Sequence, residues 1–257
     1  MYVRMNPLVS GEVMVFPPDM DLISPMIKGL SGVCIGPGLG RDPAIRDTLM
    51  QVCTAVRSAP GQGGGIPVVI DADGLYPNPT SHVLDSLLPC DNDVVITPNV
   101  VEFERLWKAY LPAMESGALG GGVDEKGRRG VALVQKLNIT ACVIKGQEDV
   151  ICTNEGYITC EVQGGYKRPG GIGDVLAGVM TAFLGWAGKA KGGEGGGEER
   201  PVAETIWGAC AVVREATRRA YGIKKRSMGA GDVICELDSV VEDADPLFRG
   251  DEDQSNL

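Results

Sequence analysis

The 257-residue chain carries 24 basic against 34 acidic side chains, a net charge of −10, and 44% of its residues are hydrophobic. That apolar content suits a packed core and excludes disorder for most of the chain. From Glu236 onward eight acids face only Arg249, so the body is close to neutral; it lacks the basic surplus of a general nucleic-acid binder while leaving local phosphate sites open.

Residues 1–16 show no signal-peptide core with a small-residue cleavage site, and only 12–16 among them read as a short strand. From residue 32 onward, short β-branched runs ending in turn residues alternate with longer segments of helical period. This is the pattern of a largely parallel sheet covered by helices. Residues 32–36 (GVCIG), 67–71 (PVVID), 93–97 (DVVIT) and 141–145 (ACVIK) are the predicted strands, apolar enough to be buried on both faces. Between them, 43–56, 81–88, 100–110 and 128–137 carry helical apolar spacing. Residues 150–153 and 157–162, separated by Asn154-Glu155-Gly156, predict a hairpin added to one side of that sheet. Two strong helices follow over 174–186 and 201–220, then a short one over 233–241. Three glycine-rich stretches, 61–65, 117–122 and 188–197, lack hydrophobic periodicity and read as surface insertions. None introduces a fresh set of core elements. Residues 1–245 are therefore expected to form one domain, with 246–257 as an acidic disordered tail.

Glycine, at 37 residues, is about twice as frequent as the usual level of roughly 7%. Some of it is linker and some is backbone suited to approach a ligand. The eight cysteines form no C-x-x-C pair and several lie in apolar runs, so they read as buried free thiols of a reducing compartment. His82 is the only histidine, which leaves a His-rich zinc site without ligands and a Ser-His-Asp triad with a single centre to build on. The longest apolar stretch, 175–188, is shorter than the roughly 20 residues a bilayer span needs. A cytoplasmic protein with neither membrane nor nucleic-acid partner is the expectation.

Four segments fall where a strand end meets the next helix, the place where ligands bind in open α/β sheets. Residues 36–42 (GPGLGRD) offer backbone N–H groups to a ligand, or form a plain turn capped by Asp42. Asp71-Ala72-Asp73-Gly74 sets two carboxylates at a strand end, suited to Mg²⁺ held through water, to a hydroxyl-bearing ligand, or to an Asx turn. In 97–105 (TPNVVEFER), Asn99 is placed to cap a helix, and Glu102, one turn in, can face a ligand mouth. Residues 164–174 (GGYKRPGGIGD) are the most informative. Lys167 and Arg168 precede glycines that enter a helix, so free N–H groups and a positive dipole end converge in an anion hole. Asp174, beside a phosphate bound there, can take a proton from an attacking hydroxyl. Gly229-Ala230-Gly231-Asp232 repeats the Gly-x-Gly-Asp form. Glu236, Asp238 and Glu242 downstream would repel a phosphate, so it reads as a loop with an N-cap. Lys145-Gly146-Gln147-Glu148-Asp149, before the hairpin, suits either a close approach to a nucleotide or a tight turn.

In this order, GPGLGRD, VVIDADGLY, TPNVVEFERL, VIKGQEDVI and KRPGGIGDVLAGVMTAFLGWA resemble the ATP-dependent NAD(P)H-hydrate dehydratase family, from about residue 13 to about residue 237. The resemblance implies a ribokinase-like, three-layer α/β/α fold with a mostly parallel central sheet. It implies a lyase that uses ATP to dehydrate hydrated NADH or NADPH, with Asp174 as the catalytic base. Gly38, Asn99, Val100, Val101, Glu102, Phe103, Glu104 and Arg105, together with Asp174, are implied to contact the hydrated nicotinamide nucleotide. Lys145, Gly146, Gln147, Glu148 and Asp149 are placed around ATP. So are Gly164, Gly165, Tyr166, Lys167, Arg168, Pro169, Gly170, Gly171, Ile172 and Gly173. Magnesium is implied for the ATP phosphates with no protein ligand named, the partners are small molecules, and a homo-oligomer is compatible with the pattern. The chain departs from the family at Pro169, which removes one backbone donor, and at Ile172, where a glutamine is common. Family chains carry a further strand and helices before the segment matching Met1, so a shortened amino terminus is expected. A small-molecule kinase of the same fold and a non-catalytic nucleotide binder are the alternative readings.

Overall fold

Valine- and isoleucine-rich runs pair as strands in the computed structural model, which describes residues 25, 27, 29–40, 43–58, 65–76, 83–88, 92–113, 122–192 and 202–244. β1 (Val33–Ile35), β2 (Val68–Ile70), β3 (Val94–Ile96) and β4 (Ala141–Ile144) lie side by side in chain order, all parallel. β5 (Asp149–Cys152) and β6 (Tyr157–Cys160) continue the sheet antiparallel beyond β4, as the hairpin reading expects. Parallel neighbours need crossovers. α1 (Pro43–Ser58), α2 (Val83–Leu87), α3 (Val100–Tyr110) and α4 (Val123–Leu137) supply them. After the hairpin come α5 (Ile172–Gly192), α6 (Val202–Lys224), α7 (Ala230–Ile234) and α8 (Leu237–Ala244).

Because successive strand residues point to opposite faces, each strand feeds two cores. Ile70, Val94 and Ile96 meet Leu87, Leu106 and Leu133 of the crossover helices on one face. Val69, Val95 and Val143 meet Leu176, Met180 and Ile206 of α5 and α6 on the other. The result is three layers, with the sheet in the middle. A buried ion pair joins two helices of the first layer: Arg129 donates to both carboxylate oxygens of Glu104, at 2.6 and 2.9 Å. Its guanidinium also lies 4.5 Å from the ring centre of Trp107.

Several boundaries differ from expectation for identifiable reasons. α4 begins at Val123 rather than 128, because Asp124 and Glu125 favour its positive end and the Tyr157 hydroxyl holds Asp124 at 2.7 Å. α5 runs past residue 186 into the third glycine stretch, since extending an existing helix through a glycine costs only about 1 kcal/mol. The helix expected over 233–241 is two helices, broken at 235–236. Cys53, Cys142, Cys152, Cys160 and Cys210 are buried thiols, but Cys34 and Cys235 are exposed. Cys34 sits on β1, one of the two edge strands among the described residues, and Cys235 in the break after α7. The strand expected at 12–16, Cys90, His82, Asp42, most of the first two glycine stretches and the acidic tail lie outside the described residues. Among the described residues no helix is long and apolar enough to cross a membrane.

Candidate active site

All four parallel strands end at one edge of the sheet, and the loops leaving them hold one another. Gly36 has a φ of +124°, and a Cβ there would overlap the carbonyl oxygen of Asp71, so only glycine lets the first loop lie against the second. The Gly40 N–H donates to Asp73 Oδ2 at 3.0 Å. Gly38, at φ +67°, is exposed, with open space where a side chain would stand. Of the two carboxylates that suited a metal in the sequence, one is thus engaged by the neighbouring loop. The other, Asp71, is 1% exposed and accepts a hydrogen bond from Lys145 Nζ at the end of β4. Among the described residues, no group of three or more metal-ligating side chains comes together.

Lys145 is the hub of this edge. Its backbone bridges Asn99 in parallel fashion, and its N–H donates to the carbonyl of Pro98 at 2.8 Å. A Cβ built on Gly173 would lie 3.4 Å from both Asp71 Oδ2 and Lys145 Nζ, so the first turn of α5 rests directly over the ion pair. Gly171, at φ +91°, turns the chain into α5, and its carbonyl accepts from Val175 N–H at 3.0 Å. The N–H groups of Ile172, Gly173 and Asp174 precede the first intrahelical donor, Val175 N–H, and point off the helix end. The carboxyl of Asp174 is held above the usual aspartate range, first by desolvation and then by the negative charge of Asp71, with Lys145 opposing.

The two cations that precede the expected anion hole are each engaged by backbone carbonyls. Lys167 Nζ donates to the carbonyls of Arg226 and Met228, at 2.6 and 2.8 Å, and Arg168 donates to the carbonyl of Gly146. The turn after α6 supplies the acceptors for Lys167 and the loop after β4 the acceptor for Arg168, and such carbonyls hold ammonium and guanidinium groups without any bound anion. Tyr166 is 82% exposed and leans edge-on against Tyr221. Gly165 packs so closely on α6 that a Cβ would crowd Thr217. Gln147 and Pro169 flank the same edge, and Gly164, Gly170 and Glu148 complete the two loops.

One residue that organises these loops escaped sequence reading. Arg214, buried on α6, donates from Nε to Asp149 Oδ2 at 2.7 Å, and its two terminal nitrogens reach the carbonyls of Gln147, Val162 and Gly146. Asp149 in turn accepts the Gly146 N–H at 3.0 Å. Asp149 is therefore a brace for the 145–149 loop, and its carboxylate faces inward. The available signal was a lone arginine beside the apolar pair Val212-Val213.

The 99–105 run divides by direction. Asn99 and Glu102 form a reciprocal cap: Asn99 Oδ1 accepts Glu102 N–H at 2.9 Å and Glu102 Oε2 accepts Asn99 N–H at 2.8 Å. Glu102 thus supports the helix start. Phe103 is a core residue and Glu104 is bound to Arg129, so their side chains point away from the sheet edge where the other loops meet. Val101 is 55% exposed, Arg105 is exposed with its guanidinium 5.9 Å from the Tyr76 ring centre, and Val100 is half-buried. Asp232 in the second Gly-x-Gly-Asp segment lies inside α7, not ahead of it as the N-cap, and caps the helix from there by accepting the Gly229 N–H at 2.8 Å. Two hollows of about 400 and 390 Å³ lie elsewhere, on α1 and between α5, α6 and α8.

Comparison with known proteins follows the same lines. A family model described as NAD(P)H-hydrate dehydratase matches residues 5–239. An ATP-dependent (S)-NAD(P)H-hydrate dehydratase of Neurospora crassa is 35% identical over 230 residues, covering 84% of this chain and 60% of its own length. One from Mus musculus is 34% identical over 209 residues, covering 81% and 56%. The chain thus spans about three fifths of the length of these relatives. A ribokinase-like superfamily protein of Enterococcus faecalis superposes with a TM-score of 0.59 at 17% identity, covering 87% of this chain and 67% of that one, which shows the fold.

Proposed function

The chain belongs to the NAD(P)H-hydrate dehydratase family, and we propose that it uses ATP to remove water from hydrated NADH or NADPH and so restores the reduced cofactor. The observation that carries this reading is the first turn of α5. Free N–H groups, a carboxylate with raised proton affinity and a lysine meet there at the carboxyl edge of a parallel sheet.

Hydroxide is a poor leaving group, so the chemistry needs an activated oxygen. Asp174 accepts the proton of the hydrate hydroxyl while that oxygen attacks the terminal phosphorus of ATP and the bond to ADP breaks. The N–H groups at residues 172–174 face the charge that spreads over the phosphoryl oxygens. Phosphate then leaves the ring carbon, driven by the lone pair of the ring nitrogen, and loss of a proton from the adjacent carbon restores the double bond. Gly38 and the exposed residues of 99–105 serve the nicotinamide side, and the 145–149 and 164–173 loops serve ATP. Phe103 and Glu104 take part through the backbone and packing of α3. The described side chains offer no metal cage, so a magnesium ion is proposed only as the companion of the ATP phosphates.

The test is to incubate the chain with ATP and hydrated NADH. Recovery of reduced-nicotinamide absorbance, matched mole for mole by inorganic phosphate and absent without the hydrate, is the expected result. A stable phosphoester product, or phosphate release without recovery, would sink the proposal in favour of a kinase or an unproductive nucleotide binder.

A further inference from the structure

Resting on the function proposed above, we infer that Asp71 is a positioning residue for phosphoryl transfer: it pins the Lys145 ammonium under the first turn of α5, where that ammonium meets the phosphoryl group that ATP delivers. The anion site needs a cation, and the two nearest in sequence are committed to carbonyls of the 226–228 turn and of Gly146. Lys145 is engaged differently. Its partner is a buried carboxylate, not a carbonyl, and 17% of the lysine side chain is accessible to solvent. An ammonium carries three donors, and the bond to Asp71 Oδ1 uses one.

The geometry places those remaining donors with the reacting groups. Gly173 stands over the pair, and the next residue is Asp174, which must lie beside the phosphorus whose attack it assists. A cation within reach of Gly173 is therefore within reach of the same phosphoryl oxygens. The absence of a side chain at Gly173 keeps that approach open, since a Cβ would stand between the helix end and the ammonium. Asp71 acts without touching the phosphate. It fixes the lysine rotamer from below, and its charge also raises the proton affinity of Asp174. Cys34, on β1, borders the same charges as a neutral thiol pushed up to about 11.

Four versions of the full chain test this: wild type, Lys145→Met, Asp71→Asn and the double variant, with melting curves to confirm folding. The double variant leaves no uncompensated buried charge and so secures a folded reference. Calorimetric affinities for ATP and ADP are measured first. Lys145→Met should lose about tenfold or more of the preference for ATP over ADP, the worth of a charged hydrogen bond to the terminal phosphate. Asp71→Asn should lower kcat by about 100-fold with little change in KM for the hydrate. Because Asp71 works through Lys145, the double variant should be no worse than Lys145→Met alone. Retained ATP preference in Lys145→Met, or additive losses in the double variant, would overturn the inference. If wild type fails to dehydrate the hydrate but the ATP preference vanishes in Lys145→Met, the proposed function falls while the placement of Lys145 stands.

Discussion

Replacing Arg214 with methionine keeps an apolar stem inside α6 and removes the guanidinium that braces the 145–149 loop. Asp149, buried at 6% exposure, would keep only the Gly146 N–H as a partner. A buried carboxylate deprived of its cation costs about 3–5 kcal/mol. The carbonyls of Gln147, Val162 and Gly146 lose donors as well, so the loss belongs near the upper end, about 5 kcal/mol. For a chain of this size each kcal/mol lowers the melting midpoint by about 2–4 °C, which gives a fall of about 10–20 °C. Adding Asp149→Asn removes the stranded charge while an amide oxygen still accepts the Gly146 N–H, and should restore about half of the loss. Thermal melts of wild type, both single variants and the double variant decide the matter. A loss below about 1 kcal/mol in Arg214→Met, the range of an exposed ion pair, would refute the brace. So would a double variant less stable than Arg214→Met.

Asp174→Asn should fold as wild type does and lower turnover by about 10²–10⁴-fold, while Asp232→Asn, whose amide oxygen can still accept the Gly229 N–H, stays near wild type; reversed effects in the steady-state assay would show that the wrong Gly-Asp loop was chosen. The raised Asp174 carboxyl favours the protonated folded state, so its stabilising contribution is present at low pH and lost as pH rises through the folded value. Asp174→Asn should therefore gain stability over wild type at neutral pH, with the gain vanishing in acid melts. Glu215 behaves oppositely: Arg218 above all, with Arg219, pulls its carboxyl from 4.5 down to about 2. Its contribution is present above 4.5 and lost as pH falls toward 2, so Glu215→Gln should differ from wild type at pH 7 and converge with it across that window. Gly36→Ala sets a Cβ against the Asp71 carbonyl at positive φ and should cost several kcal/mol in chemical denaturation, about 2 or more from the backbone conformation and overlap together.

The sheet was legible because its evidence is local. Runs such as Val68–Ile70 and Val94–Ile96 announce buried strands by composition alone, and the alternation with helical segments implies parallel pairing. The start of α4 was not, because Asp124, Glu125 and Lys126 interrupt the apolar spacing and Tyr157, which secures that turn, arrives from the hairpin. At the site, the Gly170–Asp174 motif declared a helix entrance, since glycines and an acid at that position have few other uses. The destinations of Lys167 and Arg168 stayed hidden because their acceptors lie in other loops. Asp71 and Lys145 each stood at a strand end, but nothing in either segment reveals that the two side chains form an ion pair.

The separation of those two residues, 74 positions along the chain, makes the site a late event in folding. Neither the 71–76 loop nor the 145–149 loop holds the pair by itself; β2, β3 and β4 must first align in register, and only then can α5 dock over them. Contacts of such long range close slowly, because loop entropy is lost before any pairing repays it. A nascent chain that has emerged only as far as Lys145, the residue after β4, owns the ammonium and its carboxylate but not Asp174. In a refolding experiment, turnover should therefore recover with the slowest phase, after helical signal has returned.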